Sequence, residues 1–69
     1  MTFDQAKKLT KGTPVIYRGS FGGEDAAECK WLGIEYHPNG NIVGTCIDVW
    51  GCERWGYFHQ FDVFPDFEF

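Results

Sequence analysis

Five cysteines and histidines could ligate zinc or act as nucleophile and base: Cys29, His37, Cys46, Cys52 and His59. They are separated by seven, eight, five and six intervening residues. Structural zinc sites draw on close pairs such as Cys-x2-Cys, and the sequence contains none. A Cys–His nucleophile requires the two side chains to meet in an activating environment, and a domain this small leaves little room for a substrate cleft beside them. Without such a setting, cysteine packs as a small hydrophobe. The carboxylate pairs Glu24-Asp25 and Asp66-x-Glu68 fall in segments that read as a loop and an edge strand. There they stay solvated, without the burial that raises a carboxyl into the general-acid range. The expectation is a binding protein rather than an enzyme, with no metal and no cofactor.

The charges point to what is bound. Residues 1–18 hold Lys7, Lys8, Lys11 and Arg18 against Asp4, a balance of +3. Residues 19–69 hold Lys30 and Arg54 against nine carboxylates, a balance of −7. A surface of that sign repels phosphate backbones and speeds encounter with a basic protein surface. It also keeps a small apolar protein soluble, whatever else it does. Three groups of acidic candidates result: Glu24, Asp25 and Glu28; Glu35, Asp48 and Glu53 around the central hairpin; and Asp62, Asp66 and Glu68 near the end. Trp50 and Trp55 flank a turn and have the residue type that anchors protein interfaces. Aromatics on strands also stack on single-stranded nucleic acid, but the basic groove that such proteins need is missing.

These residues must be positioned by a short helix and a sheet. Thr2 and Gln5 have the spacing of a capping box, Asp4 suits the positive end of the helix dipole, and Gly12 is a terminator. The helix is expected from Phe3 to Thr10, with Phe3, Ala6 and Leu9 as a thin apolar stripe that must dock on something. Strands are expected at Pro14–Arg18, Ala26–Tyr36, Asn41–Trp50 and Arg54–His59, with Phe61–Phe69 as an edge strand containing Pro65. Gly33 marks a bulge or bend. His37-Pro38-Asn39-Gly40-Asn41 closes a hairpin, by a type I turn with a left-handed glycine or by a type I′ turn. The Asn41–Trp50 segment has no cleanly polar face and reads as a central rather than an edge strand. The fold class is α+β, mostly β: one N-terminal helix and a curved antiparallel sheet of about five strands, in one domain, either an SH3-like barrel or an open sheet.

At 69 residues with 19% aromatics, the chain can build a core without staples. Three cysteines cannot form a closed disulfide set, so at least one thiol stays free, which suits a reducing cytoplasm. The start lacks the apolar stretch of a signal peptide, and no apolar run has the length of a membrane span. The opening Met1-Thr2-Phe3-Asp4-Gln5-Ala6, with Leu9, Gly12, Val15 and Arg18, resembles the start of a family of small phage proteins that sequester nucleotide-like immune signals. The resemblance covers about 18 residues and carries over no binding residue; what it implies is a phage origin. Size, acidity and the lack of an enzyme motif also look like phage-encoded inhibitors of host defence, the anti-CRISPR proteins among them, a likeness of type and not of motif. The expectation is a monomeric, cytoplasmic inhibitor. Its acidic residues and two tryptophans engage the basic, nucleic-acid-binding surface of a host effector. The rival expectations are a sponge for a nucleotide-like signal and an accessory subunit that pairs through Phe61–Phe69.

Overall fold

The computed structural model describes residues 1–19 and 26–69. A short helix, α1 (Phe3–Lys7), precedes strands β1 (Pro14–Tyr17), β2 (Ala27–Tyr36), β3 (Ile42–Asp48) and β4 (Glu53–Gly56), then a 3-10 turn at Phe58–Gln60 and β5 (Phe61–Val63). All five strands form one antiparallel sheet in the order β4-β3-β2-β1-β5. β3 lies inside it, as the apolar character of both its faces requires. The sheet is curved but not closed, since β4 and β5 do not pair. It is drawn together across its concave side by the Tyr17 hydroxyl, which donates to the Trp55 carbonyl at 2.7 Å.

The helix begins as its sequence dictates. Thr2 Oγ1 accepts from the Gln5 N–H at 3.2 Å, and Gln5 Oε1 accepts from the Thr2 N–H at 3.0 Å. It ends at Lys7 rather than Thr10. The Lys8 and Leu9 N–H groups bond to carbonyls only three residues back, those of Gln5 and Ala6. That tightened turn brings Leu9 into the core beside Ala6, so tertiary packing ends the helix one turn early. Phe3 packs against Phe58 of the 3-10 turn with ring centroids 5.6 Å apart and the rings tilted by 48°.

The core lies between the helix and the concave face. Its centre is Trp31 on β2, fully buried, which meets Phe61 edge-on at 5.3 Å; Phe61 in turn packs on Tyr17 at 5.1 Å. Gly44 on β3 makes room for the indole, because a Cβ there would stand 2.5 Å from the Trp31 ring. Strict alternation from Trp31 would turn Ile34 away from this core. The register shift between Trp31 and Gly33 is a bulge that resets the phase. Ile34 thereby packs inward, and Glu35 turns outward opposite Val43. Gly33 supplies the left-handed backbone the bulge needs, at φ +151°.

The β2–β3 hairpin is the type I form. The Gly40 N–H bonds to the His37 carbonyl at 3.0 Å, and Gly40 alone in the turn has positive φ. The long fourth strand expected to His59 stops at Gly56. The Gln60 side chain accepts from the Tyr57 N–H at 2.8 Å and donates to the Gly19 carbonyl, which coils the chain before β5. β5 keeps only Phe61–Val63, as an edge strand paired to β1. Among the described residues, no helix is long and apolar enough to cross a membrane.

Gly44→Ala is expected to destabilise the fold by roughly 1–3 kcal/mol through overpacking against Trp31. Urea unfolding of the variant beside the native chain measures it.

Candidate functional site

The face of the sheet away from α1 is set by register. Val15, Tyr17, Cys29, Trp31 and Cys46 belong to the core cluster, so the alternate positions Pro14, Ile16, Glu28 and Lys30 face outward. With them are Val43, Thr45 and Ile47 of β3, and Glu53 and Trp55 of β4, which pair with Ile47 and Thr45. The charge split along the sequence is only partly a split across the sheet. Lys7 and Lys8 ride on the helix side with Asp4, while Glu28, Glu35 and Glu53 stand on the opposite face, which also carries Lys30. Glu28, Glu53, Asp66 and Glu68 are exposed, and among the described residues none is paired to a lysine or arginine. Glu35 lies 3.8 Å from His37 Nε2. Asp62 is held by Arg18 Nε at 2.7 Å, so part of its charge is answered within the domain. Glu24 and Asp25 lie outside the described residues.

Asp48, grouped by sequence with the binding carboxylates, has a structural position instead. Its side chain is 1% exposed. Oδ1 accepts from the N–H groups of both Trp50 and Cys52, each at 2.9 Å, and Oδ2 accepts from Arg54 Nε at 2.9 Å. Those bonds, first that from Cys52 and then the Arg54 guanidinium, hold its carboxyl below the usual carboxylate value. One carboxylate thus ties together the β3–β4 turn. The strand expected to run on to Trp50 ends here, and Val49-Trp50-Gly51 becomes the tip, with Gly51 at φ +82°.

The tip is the most exposed apolar feature of the described residues. Trp50 is 81% exposed and Val49 72%. Trp55 differs. It is half exposed, and its ring meets His37 edge-on at 4.8 Å and Tyr57 at 6.1 Å. Val43, outward-facing yet fully buried, lies diagonal to both His37 and Trp55 in the register. Trp55 is therefore partly a cover for the outer face, and Trp50 is the free indole. The sequence marked Trp50 but left Val49 inside a strand; the following Gly51 was the available signal that the pair formed a turn.

A groove crosses the outer face where β1 and β2 meet the C-terminal segment. Pro14, Glu28, Phe64, Asp66 and Phe67 line it, and it encloses about 350 Å³. It brings together Glu28 and Asp66, which lie in separate acidic groups of the sequence. Pro14, Phe64 and Phe67 carried no functional signal in sequence, because apolar groove walls look the same as core residues.

Cys29 and Cys46 are buried neighbours on the core face, and Cys52 is exposed in the β3–β4 turn. Burial pushes the Cys29 thiol up, and the Cys46 thiol up to about 12. Among the described residues, no three His, Cys, Asp or Glu side chains converge as metal ligands would. No family model, no curated protein and no solved structure matches the chain.

Two outcomes are expected. A thiol reagent at neutral pH titrates Cys52 alone in the folded protein and all three cysteines after denaturation; rapid labelling of a second thiol contradicts the burial. Because the folded state holds Asp48 below the usual carboxylate value, its contribution is present above that value. It is lost as pH falls through it toward the folded value. Melting curves of the native chain should therefore drop below about pH 4 more steeply than those of Asp48→Asn, which starts less stable at neutral pH.

Proposed function

We propose that the chain is a protein-binding domain whose partner presents a basic surface of the kind that holds nucleic acid. The Val49-Trp50 tip is the anchor, and the unpaired carboxylates of the outer face are the steering charge. The observation that carries this reading is Trp50, displayed in water on a turn that the buried Asp48 carboxylate fixes from within. An indole buried on a partner removes roughly 150–250 Å² from water, and a tip already ordered loses little freedom on binding. Carboxylates elsewhere on the domain raise the encounter rate with a basic partner more than they hold it. In a chain of this size and charge, the reading extends to an inhibitor that occupies the nucleic-acid site of a host defence effector.

The groove disfavours the sponge reading, since Glu28 and Asp66 would face the phosphates of a nucleotide. Pairing through the C-terminal edge is disfavoured by the length of β5, which has only three residues to offer a partner strand.

A tagged chain used as bait in lysate of the source cells is expected to retain one basic protein at low salt and release it at high salt. Trp50→Ala should weaken that complex by roughly 30-fold or more, the scale of an interface hot spot, with an unchanged melting temperature. Glu35→Lys with Glu53→Lys should slow association and flatten its salt dependence. Equal retention by Trp50→Ala, or a complex indifferent to salt, would sink the proposal.

A further inference from the structure

We infer that the groove between the outer face and the C-terminal segment seats the guanidinium of an arginine side chain presented by another polypeptide. Three elements build it. Pro14 opens β1, and Glu28 projects beside it from β2, where it pairs with Ile16. Phe64 follows β5, whose Val63 pairs with Val15, so Phe64 comes alongside Pro14. The chain then turns, with the Phe67 N–H bonding to the Phe64 carbonyl at 2.9 Å, and this turn returns Asp66 and Phe67 to the same groove. Phe67 is steadied by packing against the core cluster and by an edge-on contact with Phe69 at 5.0 Å.

The chemistry selects the occupant. Asp48 and Asp62 each have an arginine of this chain. Glu28 and Asp66 have neither lysine nor arginine among the described residues, and both stand beside apolar walls. An anion is repelled there, and a neutral apolar group would strip water from the carboxylates without replacing their hydrogen bonds. A guanidinium satisfies both demands: its N–H edge is bidentate toward carboxylates, and its weakly hydrated faces stack on phenyl rings. An ammonium offers the charge without the flat faces. The groove's volume, about 350 Å³, lies at the small end of ligand sites, enough for one long side chain. The site stands apart from the Trp50 anchor. It rests on the partner reading only for the source of the arginine.

The test needs no partner. A capped Gly-Arg-Gly peptide is titrated into 15N-labelled full-length chain, beside the same peptide with citrulline or lysine, and beside free arginine. The expected result is saturable shifts at the amides of Glu28, Phe64, Asp66 and Phe67, weakened by salt, smaller with lysine and absent with citrulline. Free arginine, with its own carboxylate near the acidic groove, should bind more weakly than the capped peptide. Glu28→Gln with Asp66→Asn should weaken the arginine peptide by roughly tenfold or more while the amide spectrum keeps its dispersion. Equal shifts with citrulline, shifts centred elsewhere, or no loss in the double variant would overturn the site. Tighter binding of free arginine than of the peptide would reassign it to an amino acid and overturn it as a docking site. Failure here leaves the Trp50 result untouched, so the two readings fall separately.

Discussion

The packing of Trp31 into the concave side of the sheet is the constraint on which the rest of this structure depends. A chain of 69 residues has room for one such centre. The indole occupies it, with Phe61 edge-on against it and the bare backbone of Gly44 leaving room for both rings. Phe61 opens β5, so the same contact brings that strand to the edge of β1. The bulge at Gly33 then lets Ile34 join the core and turns Glu35 out. Each is a consequence of filling one face of a small curved sheet with large rings.

That allocation explains why the outer face can carry unpaired charge. Carboxylates turned away from the core cost little while water reaches them, and they confer solubility and a field. Asp48 is the exception. It sits on the core side at the end of β3, where a bare carboxylate would be costly. Two backbone N–H groups and Arg54 satisfy it. The result is a tip in which the polar atoms bond inward and the apolar side chains, Val49 and Trp50, are exposed. A turn built the other way round would bury its tryptophan and expose its aspartate.

Much of the fold was legible because it rests on local signals. The capping box at Thr2 and Gln5, the proline-glycine turn at Pro38–Gly40, the bulge glycine at Gly33 and the two-sided apolar pattern of β3 each have a physical meaning that survives folding. Two of the misjudged boundaries share one cause. Lys8–Thr10 and the stretch after Gly56 are set by contacts distant in sequence, Leu9 entering the core and Gln60 bonding to Gly19; the end of β3 is set locally, where the Asp48 side chain bonds to the turn backbone and to Arg54. The site was legible in residue types but not in grouping. Glu28 and Asp66 are distant in sequence yet line one groove, Asp48 looked like a surface acid, and Phe64 and Phe67 looked like core. Alternation along a strand gives a face; it does not show which side chains a neighbouring strand will satisfy.

The central claim is that partners are met at the Val49-Trp50 tip. The most direct measurement is site-specific photo-crosslinking in the source cells, with a photoreactive phenylalanine derivative substituted at Val49 and, separately, at Asn39 in the turn between β2 and β3. The account predicts a discrete adduct to a protein with a basic surface from position 49 and none from position 39. Adducts from position 39 with none from position 49 would contradict it.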